Sequence, residues 1–248
     1  AINTTGGQTY SDAMRFAGSQ TLNATSFTFN STVNASPSNS GTLTLNSGAN
    51  GDTTFNGLVG NESPFRLVTN SGGRTRIETN MTLSQGADFG DEVLTGASVT
   101  INGGNAPLLF RGAINSASAT NRSALVLRST MTNPTISATT GAINVPFKFG
   151  GDIGTTTALR SLDLGANLTS TPNISTIVFA RSFNADGSIP VSALSNPAGF
   201  RVVTRTNSGG ENGFQMGQAQ KITSFANLEI DTTGGVIIGD ISTPVSYT

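Results

Sequence analysis

A degenerate repeat of about 80 residues constrains this chain more than any other feature of its sequence. Tyr10-Ser-Asp12-Ala-Met14 returns as Phe89-Gly-Asp91-Glu-Val93, and Phe29-Asn-Ser-Thr-Val33 returns as Phe110-Arg-Gly-Ala-Ile114. A third signature, Phe55-Asn-Gly57-Leu-Val59-Gly60 followed by Phe65-Arg66, returns as Phe149-Gly-Gly151-Asp-Ile153-Gly154 followed by Leu159-Arg160. Order is kept while the offset grows from 79 to 81 to 94, so a unit has been repeated with insertions. Self-similarity of this kind marks an array in which each unit buries its apolar face on its neighbour. It predicts a long, uniform surface rather than one deep pocket.

The units run over about 7–86, 87–165 and 166–233, the third being the most eroded. The opening phrase Ile2-Asn-Thr-Thr-Gly6-Gly7 recurs as Ile230-Asp-Thr-Thr-Gly234-Gly235, which reads as the start of a further unit over 230–248. The whole of 1–248 is thus expected to be one elongated domain. Its matching ends suggest head-to-tail contact through Ile2, Gly6, Gly7, Ile230, Gly234 and Gly235.

Apolar residues alternate in short bursts such as Phe27-x-Phe29, Leu43-x-Leu45, Phe65-x-Leu67, Leu125-x-Leu127, Phe147-x-Phe149 and Leu162-x-Leu164. Period two over three to six residues, bounded by Gly, Asn, Ser or Pro, signals short strands with one buried face. No long stretch carries helical spacing. Short strands, tight corners and sequence repetition without helical crossovers predict an all-β parallel β-helix, a β-solenoid. At about 20–27 residues per rung such a coil would make about 10 rungs. A β-sandwich with Greek-key or donor-strand topology is the alternative. Within the coil, Phe29, Val33, Phe55, Val59, Phe110, Ile114, Phe149, Ile153 and Phe179 are the recurring core positions, and the phenylalanines among them are expected to stack.

Composition removes several classes of function. Gly, Thr, Ser and Asn supply nearly half of the 248 residues, and the net charge is −1. Thirteen cationic residues are scattered singly, so no basic stripe suits nucleic acid. The longest apolar runs, Pro107-Leu-Leu-Phe110 and Ile177-Val-Phe-Ala180, are far too short for a helical membrane span, and no membrane insertion is expected. The chain opens Ala-Ile-Asn-Thr-Thr without Met, which reads as a processed product or excised fragment whose anchor, if it has one, lies elsewhere.

Cys and His are absent, which excludes Ser-His or Cys-His nucleophilic chemistry and thiolate or imidazole zinc sites. Paired carboxylates could still serve a glycosidase or lyase, and the one dense acidic group is Asp88, Asp91 and Glu92. Asp91 holds the repeat position also held by Asp12 and Asp240, so a turn-capping role fits it better. Asn184-Ala-Asp186-Gly187-Ser188 has alternate oxygen donors around a Gly but lacks a closing bidentate Glu, so it reads as a turn rather than a calcium loop. No catalytic residue, cofactor or metal is expected.

The phrases Gly6-Gly7-Gln-Thr-Tyr10-Ser-Asp12, Phe27-Thr-Phe29-Asn-Ser-Thr-Val33, Leu43-Thr-Leu45 and Phe55-Asn-Gly57-Leu-Val59-Gly60 share a known grammar. The chain resembles the filamentous haemagglutinin-like bacterial surface proteins, which include two-partner-secretion and autotransporter adhesins. The likeness covers about two-thirds of the chain and is clearest in residues 6–70. It implies a right-handed β-helix, export across an outer membrane, and adhesion or cell-surface structure. The resulting expectation is a non-enzymatic extracellular protein, a segment or subunit of a bacterial surface fibre, adhesin stalk or coat. Its expected partners are copies of itself or adjacent repeats, and host or surface glycans. The alternatives are a carbohydrate-active β-helix enzyme and a pilin-like subunit that polymerises by strand complementation.

Overall fold

The structure, a computed structural model, describes residues 1–37, 41–70, 72–136, 142–166, 174–190, 199–207, 211–216, 220–224, 228–237, 240–241 and 245–247. The chain is all-β, with no helix among the described residues, and nearly all of its strand pairs are parallel. Greek-key sandwiches are built from antiparallel strands instead.

Three sheets take the strands in strict rotation. The first sheet has ten strands: Ile2–Asn3, Gln20–Asn23, Thr42–Asn46, Arg66–Thr69, Ala87–Phe89, Leu108–Phe110, Phe147–Phe149, Ile174–Phe179, Gln220–Ser224 and Asp240–Ile241. The second begins with Gln8–Tyr10, Phe27–Phe29, Asp52–Phe55, Arg74–Ile77, Glu92–Thr95 and Ile114–Ser116. Single parallel bridges Ile114↔Ile153 and Ile153↔Val202 carry that file on to Phe200–Thr204, Leu228–Thr232 and Val245–Tyr247. The third starts with Met14–Phe16 and Val33–Ala35 and passes through the bridges Val33↔Val59 and Val59↔Met81. It then takes in Met81–Thr82, Ser98–Asn102, Ala124–Ser129, Ser161–Ala166, Asn212–Met216 and Gly235–Ile237. Partners one circuit apart stand 18 residues apart at Ile77↔Thr95 and 26 apart at Phe29↔Phe55.

Alternation decides what each strand buries. In Thr42–Asn46, Leu43 and Leu45 are fully buried while Thr42 and Thr44 are not, and Ala124–Ser129 buries Leu125 and Leu127 in the same way. The inward side chains form one continuous apolar cluster from Phe16 to Ile230. Inside it, Tyr10, Phe29 and Phe55 stack along the second sheet with ring centroids 5.0 and 5.1 Å apart. Phe89, Phe110, Phe149 and Phe179 stack along the first sheet at 5.0, 5.6 and 5.0 Å. These spacings suit parallel-displaced rings and repeat the strand-to-strand distance.

The single stack expected from the sequence is therefore two stacks on two sheets. Phe55 belongs to the second sheet and its counterpart Phe149 to the first; Val59 bridges in the third sheet and Ile153 in the second. Each counterpart lies one sheet short of four full circuits. The signature survives this displacement because it encodes a local device, a strand followed by a glycine corner. Gly60 and Gly154 both adopt positive φ (68° and 72°) and both donate 2.7 Å hydrogen bonds to a strand one circuit earlier. A Cβ would sit 2.0 Å from the Thr82 carbonyl at the first and 2.1 Å from the Val203 carbonyl at the second. Only glycine fits either corner.

Two excursions leave this rotation. Thr135–Ile136 and Ile143–Asn144 pair antiparallel between the strands Ala124–Ser129 and Phe147–Phe149. The segment after Phe179 turns back across the outer face of the first sheet. Val145, Val178, Ala180, Ile143 and Ile189 form a second, separate apolar cluster beneath these two segments.

Candidate functional site

All nine core positions named from the sequence are buried in the main cluster, Phe149 at 1% exposure and the other eight at 0%. They serve the interior and offer nothing to a ligand. The six terminal positions divide. Ile2 lies on the end strand of the first sheet and is 51% exposed, and Gly6 and Gly7 follow it on the surface. Ile230 lies on the second sheet, buried, and pairs with the strand Val245–Tyr247; Gly234 is half-buried and Gly235 exposed. The two terminal phrases thus turn different corners of the molecule.

The acidic trio diverges. Asp88 points outward from the first sheet and holds Arg111 through two bonds, Nε to Oδ1 at 2.7 Å and Nη2 to Oδ2 at 2.9 Å. Glu92 accepts a 2.8 Å bond from the Asn115 side-chain amide on the neighbouring strand. Asp91 turns into the interior, 6% exposed, and accepts bonds from the hydroxyls of Thr75 (2.8 Å) and Thr69 (3.2 Å). It bridges to the previous circuit rather than only capping its own turn, and its exposed repeat counterpart Asp12 has no such surroundings. Burial pushes the Asp91 carboxyl up to about 6, against the lowering pull of the two threonine bonds. The three carboxylates do not form a pair facing a common cleft.

The loop 184–188 closes on itself. Ser188 donates from its backbone N–H (2.9 Å) and its hydroxyl (2.6 Å) to Asp186 Oδ1, and Asn184 donates from its backbone to the Ser188 carbonyl at 2.8 Å. The Ser188 bonds hold the Asp186 carboxyl below its ordinary range. Among the described residues no group of three or more carboxylates is arranged to hold a metal.

The chemistry concentrates where this loop crosses the first sheet. Val68, Asp88, Leu109, Lys148 and Val178 form an outward file in direct register across five successive strands. Over this file two cations fasten the loop. Arg111 reaches the carbonyls of Phe183 (2.7 Å) and Asn184 (2.9 Å), while Lys148 donates from Nζ to the carbonyls of Gly187 (2.8 Å) and Ile143 (2.6 Å). Lys148, only 3% exposed, has its ammonium pushed down to about 8 by burial, with Asp186 and Asp88 pulling the other way. Gly187 needs its positive φ of 77° to pass over the Lys148 ammonium.

Loop and sheet enclose a pocket of about 170 Å³, floored by Pro107 and Leu109 and edged by Arg66, Gln85, Lys148 and Asp186. A shallower groove of about 490 Å³ adjoins it, shares Asp88 and Ala185 with it, and carries Arg111. Sequence reading missed this site because its residues span positions 66 to 187. Asp88, Asp186 and Gly187 stood out separately in the sequence, and a further signal was Lys148, one of two lysines, standing at an outward position between two inward phenylalanines. Comparison with protein-family models, with curated proteins and with solved structures finds no match for this chain.

Proposed function

We propose that this chain is a right-handed parallel β-helix acting as a non-enzymatic structural and adhesive segment of a bacterial surface fibre, stalk or coat, outside the cell. The observation that carries the reading is the strict rotation of parallel strands through three sheets, with ten strands in register along the first. A chain built this way invests its sequence in length, and each added circuit needs only its neighbour. The likeness to filamentous haemagglutinin-like proteins supplies the handedness, the export and the adhesive role. The separate engagements of Asp88, Asp91 and Glu92 support a role without hydrolysis or elimination.

Head-to-tail contact belongs to this reading. At one end the sheets finish in Ile2–Asn3, Gln8–Tyr10 and Met14–Phe16; at the other they finish in Asp240–Ile241, Val245–Tyr247 and Gly235–Ile237. Each sheet therefore offers one edge strand at each end, and strand edges recruit further strands. A second copy, or the next circuits of a longer chain, extends all three sheets at once. The contact is heterologous and produces filaments rather than closed dimers.

Light scattering and electron microscopy of the full chain and of a variant lacking residues 1–9 test this. Filaments that shorten on truncation are expected. Monodisperse particles in both samples would remove the head-to-tail reading, and turnover in a polysaccharide panel would remove the non-enzymatic one.

A further inference from the structure

We propose that the pocket on the outer face of the first sheet binds a carboxylated sugar, a hexuronate ring, as a terminal or internal unit of an acidic glycan. The site is read from its own geometry and holds whether or not the chain is part of a fibre.

The functional groups around the pocket are unevenly used. Arg66 stands outward at the start of its strand, half-buried, and its guanidinium has no hydrogen-bond or ion-pair partner among the described residues. The Gln85 side-chain amide is equally unengaged there. Lys148 has three ammonium hydrogens and gives two of them to carbonyls. Both Ser188 donors fall on Oδ1 of Asp186, which leaves Oδ2 open. Asp88, by contrast, is already neutralised by its two bonds to Arg111. The free set is one planar cation, one ammonium hydrogen, one amide and one carboxylate oxygen.

That set matches one ligand chemistry. A planar guanidinium with its donors in a fork pairs with a carboxylate or a phosphate, and the Asp88 and Asp186 carboxylates in the same lining favour the singly charged carboxylate. An amide and a carboxylate oxygen on the same rim take hydroxyls, which donate and accept. Pro107 and Leu109 form an apolar floor for the C–H face of a ring. The volume of 170 Å³ equals about five or six waters at roughly 30 Å³ each, the size of one sugar ring rather than of a drug-sized ligand. The adjoining groove with Arg111 gives the next ring a place to lie, so the ring in the pocket need not end the glycan.

The interior of the molecule accounts for the rigidity of the site. Its floor is set by strands one circuit apart whose inward residues are buried, and its roof is pinned by three cation-to-carbonyl bonds. A ligand meets a formed pocket and little ordering cost.

Ligand-observed NMR titration of the full chain with D-galacturonate, D-glucuronate, glucose and acetate tests the proposal, alongside the variants Arg66→Gln and Gln85→Ala. Arg66 faces outward on its strand, so its replacement leaves the fold intact, which circular dichroism checks. We expect one of the two uronates to bind saturably, and glucose and acetate each to bind at least about tenfold more weakly. Arg66→Gln should weaken the uronate at least about tenfold, the loss of one charge-assisted pair, and Gln85→Ala by less. Acetate binding as tightly as the uronates would reduce the pocket to a simple anion site and overturn the sugar. Glucose binding as tightly would overturn the role of Arg66, as would an unchanged Arg66→Gln. No saturable uronate binding at tens of millimolar would end the proposal.

Discussion

The circuits before Ser129 and those after it share one interior and differ in everything outside it. From Phe89 to Phe110 the chain completes a circuit in 21 residues; from Phe110 to Phe149 it takes 39, the antiparallel excursion included. The stacked rings barely register this, with centroids 5.0 Å apart in the first case and 5.6 Å in the second. An insertion at a corner extends outward and leaves the register of the next strand unaltered. The plain circuits add strand faces of Thr, Ser and Asn with single ion pairs such as Asp52–Arg74, whereas in the elaborated ones the segment after Phe179 folds back onto the first sheet and walls a pocket over Arg66, Asp88 and Leu109 of the plain circuits. In this molecule stability is made inside and individuality outside, and the two are nearly independent.

The largest expected effect tests that independence directly. Phe110→Ala should cost about 3–5 kcal/mol, as emptying a buried aromatic site usually does. Phe149→Ala, beside the insertion, should cost the same within about 1 kcal/mol by chemical denaturation. A cost at Phe149 below half of that at Phe110 would mean that the excursion loosens the interior, and the comparison would fail.

Lys148→Ala sharpens the other half of it. The substitution leaves the carbonyls of Ile143 and Gly187 without their donor, which costs about 1–3 kcal/mol if they stay dry. The loss should be confined to the elaborated face: limited proteolysis should speed up within 183–190, while cleavage among the plain circuits stays unchanged. Uniformly faster cleavage along the chain would show that the loop supports the whole stack.

A comparable effect, confined to one pH window, comes from Asp91, the one carboxylate turned into the interior of the plain circuits. Its folded value of about 6 lies above the ordinary unfolded value of about 3.9, so the folded chain binds the proton more tightly. Stability from this group is therefore fully present below about pH 4 and is lost as pH rises through about 6, a loss of up to about 3 kcal/mol. Asp91→Asn should abolish that slope in denaturation curves taken across the window. An Asn variant with the wild-type slope would place the titration elsewhere.

The smallest effect is expected at the surface. Asp52 and Arg74 face each other at 3.0 Å on adjacent strands of the second sheet, with both side chains well exposed. Asp52→Asn should change stability by less than about 0.5 kcal/mol, and that change should disappear in high salt. A larger loss would show that the plain circuits also draw stability from their exterior.

Much of the fold was legible because it repeats a local rule. Phe27-x-Phe29 and Leu43-x-Leu45 announce a strand and its buried face from two residues each, since successive side chains alternate by geometry. Gly60 and Gly154 announce a corner by the same logic, because no other residue fits the close carbonyl. The sheet on which a given strand lies was not legible. Phe55 and Phe149 carry one signature and sit on different sheets, because that assignment depends on the summed length of all earlier corners and not on anything near the residue. Lys148 and Asp91 escaped for a related reason. An outward position on a strand is ordinarily solvated and a corner acid ordinarily exposed, and only the packed surroundings reverse each expectation.

By itself, then, the sequence determined that this chain forms short strands with an apolar side, turns at glycines, and repeats that device along its length. Those properties follow from steric and solvation preferences that act over a few residues. Tertiary structure alone decided that Arg66, Gln85, Lys148 and Asp186 share one pocket. Parallel stacking sets residues a whole circuit or more apart side by side at strand spacing, so proximity across the molecule is fixed by register between circuits, which no local pattern records.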